Sequence, residues 1–480
     1  MLRHIFKYEW KKLTGDKSLW MIGLIVAMTT CIAIYNGKSW VDFQQRTLER
    51  IQLAESSHLN AIQYSLQNDT LIKRGFYDDY ESPGTIAYTL YRYAGMQPKE
   101  LALLSIGQSD IYPYYFGMTG LAKQQLIANE IQNPLNLLIG KLDFAFFIIY
   151  LLPLLIIALS FDLLSSEKEK GTLRLLQTYH VSIYKVILYK MMFRYATLNV
   201  WILICLLCCL LPADVFLLKG SVLSGLILLN ILIMAYSLFW FGLAFFINTS
   251  AQSSSTRNGI IMTGFWLLFL FIIPALINMV ITVFQPVPSQ VSLITKSREA
   301  AQQANAESTK LLADYYQDHP ELAMLDSDTA SQAKVDDFWF KFLAVKDNVE
   351  KKTGPVQQDF DEKLQTQQAL VTQFRFLSPA LIMSESLNDL SGTNLRRYNQ
   401  LFDAVETFFQ TWKDYILPRI FKKQKLVSDD FDQLPQFQGI GQQSKPDIIY
   451  YLLNLVALLV PSVLLILGSK KKLESWREFS

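Results

Sequence analysis

Two adjoining stretches decide how this chain is read. The first is Phe144-Ala-Phe-Phe-Ile-Ile-Tyr-Leu-Leu-Pro153-Leu-Leu-Ile-Ile-Ala-Leu-Ser-Phe-Asp-Leu-Leu164. It is apolar over a length that crosses a bilayer. The second is Ser165-Ser-Glu-Lys-Glu-Lys-Gly-Thr-Leu-Arg-Leu-Leu-Gln-Thr-Tyr-His-Val-Ser-Ile-Tyr-Lys-Val-Ile-Leu-Tyr-Lys190. It opens with charge and turns amphipathic. Leu173, Leu176, Tyr179 and Ile183 recur at helical spacing, which predicts a short helix with one apolar face. Another apolar run, Ala196 to Leu218, follows. A hydrophilic segment between two spans lies outside the hydrocarbon. Lys168, Lys170, Arg174, Lys185 and Lys190 put it on the cytoplasmic side. From these residues two readings are open: a positive-inside loop, or a docking helix that another protein pushes on.

The totals agree with a membrane protein. Of 480 residues, 51% are hydrophobic and 18% charged, a charged share too low for an ordinary soluble protein. A formal net charge of +2, with basic residues scattered by topology, gives nucleic-acid binding no support. Cys31, Cys205, Cys208 and Cys209 all fall inside apolar runs, so none is placed to staple an extracellular domain. Cys205-Leu-Leu-Cys208 has C-x-x-C spacing. With no His or carboxylate beside it, small-residue helix packing is expected rather than metal or redox chemistry.

Taken in order, residues 1–17 form a cytoplasmic amphipathic helix, with Leu2, Ile5, Phe6 and Leu13 set against Arg3, Lys7, Lys11 and Lys12. The first span, 18–36, is read as uncleaved, because Asn36-Gly37-Lys38 follows its apolar run directly. A first extracytoplasmic domain, 37–140, opens with a long helix from Trp40 to Ile72. A turn-rich segment, Gly75 to Gly120, comes next. Its Ile111-Tyr-Pro-Tyr-Tyr-Phe116 is expected to pack in a core or at the membrane interface, with a ligand-stacking surface as the other reading. The second span is 141–164, and its Pro153 requires neighbours that satisfy the freed carbonyl. The cytoplasmic loop 165–192 leads to the third span, 193–218. The fourth is 222–247 and the fifth 260–284, with Pro274. The second extracytoplasmic domain, 285–446, has helical periodicity over Glu299 to Leu312, Asp336 to Val349, Val356 to Phe374 and Leu395 to Phe421. Asp326-Ser327-Asp328 and Gly439-Ile-Gly441 are expected turns. The sixth span, 447–468, ends in a tail, 469–480, that begins with Lys470-Lys471-Lys472. The fold class is an all-α polytopic membrane protein, with six transmembrane helices and two mainly helical extracytoplasmic domains. Both termini are placed in the cytoplasm, because that orientation puts all four short basic segments inside.

Motifs for chemistry are missing. The sequence has no G-x-x-x-x-G-K-[ST] loop, no H-E-x-x-H and no G-x-S-x-G. His4, His58, His180 and His319 are far apart. Inside the spans, Asn199, Asn230 and Asn278 suit interhelical hydrogen bonds, with substrate contact as the other reading. Asp143 and Asp162, near opposite ends of the second span, suit interface positions or bonds to neighbouring helices. Buried charges are too few for a proton-coupled carrier, so energy for transport would come from elsewhere. An enzyme is not expected, and no metal site is.

Glu167-Lys-Glu169-Lys-Gly171-Thr172-Leu173-x-Leu175-Leu176, directly after a span, resembles the coupling-helix region of type-2 ABC transporter permeases. Further stretches resemble a subgroup with two large extracytoplasmic insertions, related to nitrous-oxide-reductase maturation permeases. These are Ser105-Ile-Gly107-Gln-Ser109-Asp110-x-x-Pro113, Asn133-Pro134, Asp143-Phe144 and Leu151-Leu-Pro153-Leu154 in the first part of the chain. Leu377-Ser378-Pro379-Ala380, Leu390-x-Gly392-Thr393 and Val405-Glu406 continue the pattern in the second. The chain departs from the family at His180-Val-Ser182-Ile183 and Tyr189-Lys190, where a Pro-x-Ser-Arg-type turn and a Gly-Lys are usual. It has no Cys or Met cluster outside the membrane to carry over a copper-assembly role.

The resemblance implies a permease subunit of the bacterial inner membrane that exports an unidentified substrate. ATP and magnesium would be held by a separate ATPase subunit, with none on this chain. Glu167, Glu169, Gly171, Thr172, Leu173, Leu175 and Leu176 would form the ATPase-coupling segment. The implied partners are that ATPase, a second copy or a related permease, and membrane lipid. An alternative is mechanotransmission, in which the outer domains act on an extracytoplasmic protein and no substrate crosses. For Glu167 and Glu169 two expectations stand: pairing with basic residues of the ATPase, or simple solvation.

Overall fold

A computed structural model describes residues 2–15, 17–67, 79–121, 123–124, 142–169, 171–172, 182–213, 220–249, 254–318, 330–422, 424–440 and 447–478. The expected positions Asn133-Pro134 and Asp326-Ser327-Asp328 lie outside them. The described residues are overwhelmingly helical. Six helices are long and apolar enough to cross a membrane: Ser18–Gln67, Phe144–Glu169, Ile183–Ala213, Gly220–Asn248, Ser255–Phe284 and Ile448–Lys472. The all-α polytopic class expected from the sequence is the class observed. Both polar blocks emerge from one end of the bundle, here called the block face. The termini and the two short connections, after the second and fourth spans, occupy the opposite, terminal face.

The first span does not stop at Asn36. It continues as one helix, Ser18–Gln67, of 50 residues. At about 1.5 Å per residue it is roughly 75 Å long, so more than half of it stands clear of a hydrocarbon core about 30 Å thick. Gly37 reads as a helix breaker in sequence but acts as a point of close approach. A Cβ there would sit 1.9 Å from the Leu103 carbonyl oxygen. Beside it, Asn36 Nδ2 donates to the Leu142 carbonyl at 3.0 Å. The third span also begins earlier than apolarity suggests, at Ile183, which brings Lys190 and Arg194 inside a helix.

The second and fifth spans share a local irregularity. Each has a π-helical stretch, Phe147–Leu151 and Leu268–Ile272, just before its proline, Pro153 or Pro274. Proline supplies no N–H to the carbonyl four residues back. For Pro153 that carbonyl is Ile149, and it accepts from the buried Tyr236 hydroxyl of the fourth span at 2.9 Å. The next carbonyl, Tyr150, accepts from Trp266 Nε1 of the fifth span at 3.2 Å. In the fifth span, the Phe269 carbonyl accepts from Ser378 Oγ at 2.5 Å. Each of these donors comes from a neighbouring element, which suits a lipid-embedded backbone.

The two polar blocks are helical and share their cores. The first block contributes the upper half of Ser18–Gln67, a short helix Pro83–Thr89, and a small antiparallel sheet. That sheet has the order β1 (Arg92–Gly95), β2 (Tyr115–Met118), β3 (Lys123–Gln124). The second block contributes Gln290–Ala306, Ser308–Asp318, a 45-residue helix Ala330–Phe374, then Pro379–Ser391 and Leu395–Phe421. Ile62, Ile86 and Leu121 pack with Trp339, Trp412 and Ile416 in one cluster. Ala94, Phe116 and Met118 pack with Tyr398, Leu401 and Phe409 in another. Phe116 and the Tyr112–Tyr398 stack at 5.5 Å place the Ile111–Phe116 aromatics in this core. Leu101, Leu103 and Leu104, with Ile382, Met383 and Leu387, enter the core of the span bundle itself.

Two expectations follow. Trp412→Ala should cost about 3–5 kcal/mol and open both blocks to limited proteolysis together; cleavage confined to the second block would show that they fold separately. Tyr236→Phe leaves the Ile149 carbonyl without its donor and should cost about 1–3 kcal/mol, read as a lower thermal midpoint in detergent.

Candidate coupling site

The candidate segment begins where the second span turns at Phe161–Leu164 and resumes as the short helix Ser165–Glu169. Gly171, at φ +73°, ends it. That left-handed conformation costs a non-glycine residue roughly 1–2 kcal/mol, which explains a glycine at this point. The turn returns the chain so that the Thr172 hydroxyl donates to the Glu167 carboxylate and reaches the Glu167 carbonyl at 3.2 Å. The Glu-x-x-x-Gly-Thr pattern is thus closed on itself. Leu173, Leu175 and Leu176 lie outside the described residues, as do Lys170 and Tyr179. Ile183 belongs to the third-span helix.

Glu167 faces the protein. Its Oε1 accepts from Lys190 Nζ at 2.8 Å. Lys190 is also 3.8 Å from Glu9 of the N-terminal helix Leu2–Gly15. One turn along, Arg194 Nε donates to Glu9 Oε2 at 3.0 Å. The same guanidinium donates to Asp162 Oδ1 at 3.0 Å and to the Leu159 carbonyl. Lys12 Nζ lies 3.8 Å from the other Asp162 oxygen. Glu9, Lys190 and Arg194 are buried, at 0%, 4% and 3% exposure. Glu9, Asp162 and Glu167 thus face Lys12, Lys190 and Arg194, three carboxylates against three cations. The network ties the N-terminal helix, the end of the second span and the start of the third into one body.

Glu169 ends its own short helix and serves another. Its oxygens accept from Ser255 N at 2.8 Å and Ser255 Oγ at 3.1 Å, capping the start of the fifth span. A carboxylate there is favoured by the exposed N–H groups and the helix dipole. Asn248 and Asn258 complete the connection. Asn248 Nδ2 donates to the Ser160 carbonyl at 2.9 Å, and Asn258 Nδ2 donates to the Phe161 carbonyl at 3.2 Å and to Asn248 Oδ1 at 3.0 Å. Elsewhere in the bundle Asn199 Oδ1 accepts from Ser237 Oγ of the fourth span at 3.1 Å, an interhelical bond.

Several of these residues escape a motif search. Glu9 belongs to no motif, yet it shares a helix face with Phe6 and Leu13, a spacing that signals a buried charge. Lys190 and Arg194, four residues apart inside a helix, give a second signal.

A second set of contacts forms at the block face. Asp143 caps the second span, accepting from Phe146 N at 2.7 Å and from Ile106 N at 2.8 Å. Ser105 Oγ donates to Asn388 Oδ1 at 2.7 Å, Gln108 N to the Thr393 carbonyl at 3.3 Å, and Trp40 Nε1 to Ser109 Oγ at 2.8 Å. Stretches that are far apart in sequence, around Ser105–Asp110, Asp143 and Leu390–Thr393, meet here. Nearby, burial and the adjacent Arg397 guanidinium push the Lys99 ammonium below its ordinary range. Burial pushes the Tyr398 phenol up.

Among the described residues, no group of three or more His, Cys, Asp or Glu side chains is arranged to hold a metal ion. Through these contacts Ser165–Glu169 is tied to the third span by Glu167 and to the start of the fifth by Glu169. Arg194→Met strands Glu9 in a buried site and should cost about 3–5 kcal/mol. Lys185→Ala, at an exposed position of the third-span helix, should change the thermal midpoint little; equal effects of the two would show that the network does not hold the helices.

A family model described as a domain of unknown function (DUF3526) matches residues 290–439, most of the second block. No curated protein and no solved structure matches the chain.

Proposed function

We propose that this chain is the membrane subunit of an ATP-driven complex of the inner membrane, with its terminal face in the cytoplasm. A separate ATPase chain holds ATP and magnesium and engages the segment that includes Leu173, Leu175 and Leu176. Glu167, Glu169, Gly171 and Thr172 shape and anchor that segment rather than meet the ATPase as free charges. The observation that carries this reading is the grip on the second span at both ends. Asp162 and Glu167 join it to the N-terminal helix and third span, and Asp143 joins it to the blocks. ATP binding need favour one packing of these helices by only a few kcal/mol to shift populations substantially.

A second copy completes the assembly. The apolar window of the fifth span is only 11% buried, and Asn278 is exposed on it. A polar amide facing hydrocarbon gains by packing against another helix. Export along a path between the copies is the use that the resemblance implies. Mechanotransmission is the second reading, and the shared core of the two blocks favours it, since both would move as one body on the block face.

The test is affinity purification of the tagged chain from its native membrane in mild detergent. An ATPase in a two-to-two complex, with ATP hydrolysis, is expected. Leu176→Glu should remove both while leaving the thermal midpoint unchanged. Recovery of the wild-type chain alone, without hydrolysis, would overturn the assignment. A stoichiometric protein from outside the membrane would favour mechanotransmission over export.

A further inference from the structure

Two cations meet where the blocks join the bundle. Arg397, in the first turn of the helix Leu395–Phe421, is buried at 5% exposure. Its Nη1 donates to the Gly392 carbonyl at 3.2 Å and its Nη2 to the Gln97 carbonyl at 2.7 Å. Lys99, half-buried, lies across the same glycine. A Cβ on Gly392 would stand 2.5 Å from Lys99 Cδ and 2.6 Å from Arg397 Nη1, so the two side chains share the space over it. Among the described residues, neither cation has a carboxylate within ion-pairing distance. Asp389, whose charge acts on Lys99 from farther off, is held by Asn394 Nδ2 and by the Tyr451 hydroxyl, both at 2.5 Å. Ser391, next to Gly392, keeps a buried hydroxyl with no hydrogen-bond partner. Two like charges side by side, one of them buried, lack a counter-ion.

The level of the pair selects the anion. Glu100, the next residue, accepts from Ser221 Oγ at 3.1 Å. Ser221 is the second residue of the fourth-span helix, Gly220–Asn248. That helix has 29 residues and is roughly 43 Å long at its usual rise. It therefore outruns a hydrocarbon core of about 30 Å, and its first residues stand in the headgroup layer. Leu101, two residues beyond Lys99, already belongs to the bundle core, and it lies against Gly225, one turn farther down the same span. Lys99 is thus at headgroup height, where every phospholipid carries a phosphate. We propose that Lys99 and Arg397 bind the phosphate of a phospholipid headgroup in the leaflet at the block face. A phosphodiester brings the missing negative charge, and its free oxygens accept from an ammonium and a guanidinium together. Basic pockets beside membrane helices take lipid headgroups in this way. The lipid would brace Gln97–Lys99 of the first block against Gly392–Arg397 of the second, directly above the fourth span. This assignment does not depend on the coupling role proposed above.

The test uses the full chain in detergent, stripped of lipid. Palmitoyl-oleoyl phosphatidylglycerol, a diacylglycerol with the same acyl chains, or inorganic phosphate is then added. Native mass spectrometry counts the bound lipid, and the thermal midpoint is read alongside. Expected is one phosphatidylglycerol per chain whose affinity falls about tenfold in Lys99→Gln. Arg396→Gln, at an exposed position beside Arg397, should keep it, and diacylglycerol should not be retained. Without lipid, Lys99→Gln should melt no lower than the wild type, because it removes a repulsion. With phosphatidylglycerol, the wild type and Arg396→Gln should gain in midpoint and Lys99→Gln should not. A lower midpoint of lipid-free Lys99→Gln would assign Lys99 a structural role and overturn the proposal. Equal binding of phosphatidylglycerol by the wild type and Lys99→Gln, equal retention of diacylglycerol, or the same gain in midpoint from inorganic phosphate alone would each overturn it as well.

Discussion

The carboxylate of Asp143 is the joint on which the molecule turns. One oxygen caps the second span through Phe146 N, and the other takes Ile106 N from a segment of the first block. A helix start at the edge of a bilayer has N–H groups without intrahelical partners. The segment beside it presents a buried backbone N–H with the same need. One side chain meets both. This fixes the depth at which Leu101, Leu103 and Leu104 enter the bundle core, and with it the seat of the helix Pro379–Ser391. The shared cores of the two blocks are built above that seat.

At the terminal face the constraint is charge balance. Burying a single ion costs several kcal/mol, and removing one partner of a buried pair leaves that cost uncompensated. The network around Glu9 offsets it by balance, three carboxylates with three cations, although Glu9 Oε1 has only Lys190 at 3.8 Å and no hydrogen bond. A balanced network of this kind adds little to stability compared with apolar packing. Its value lies in register. Lys190 and Arg194 meet their partners in only one rotation of the third span, and the N-terminal helix meets them in only one position along it.

Much of this architecture was legible in the sequence. Apolar runs located all six spans, and helical periodicity gave the character of the polar blocks. The ends of the helices were less legible. Asn36-Gly37 looks like a stop in composition, but the Leu103 carbonyl needs the space that only glycine leaves. Lys190 reads as a loop cation because a charge inside a helix is costly unless its partner is known, and Glu9 lies far away in sequence. The same distance hid the roles of Glu167 and Glu169. Local spacing puts both on a charged turn, whereas Glu167 bonds Lys190 and Thr172 and the exposed Glu169 bonds Ser255. The meeting of Ser105, Asp143, Asn388 and Thr393 is likewise a product of tertiary packing, which single-sequence periodicity does not encode.

The paired kinks connect the two ends. Straightening the second span at Pro153 would withdraw Ile149 and Tyr150 from Tyr236 and Trp266. Straightening the fifth at Pro274 would withdraw Phe269 from Ser378, which begins the helix Pro379–Ser391. Trp266 sits on the fifth span and donates to the second, so a shift of either span alone breaks that bond. At the terminal face the stretch that follows the second span reaches two others, the third through Asp162 and Glu167 and the fifth through Glu169. Tyr236, Trp266 and Ser378 thus hold the two proline-bearing spans, the fourth span and the helix Pro379–Ser391 in one frame. Coordinated movement is the low-cost response of such a frame, because every independent movement exposes a backbone group that lipid cannot satisfy.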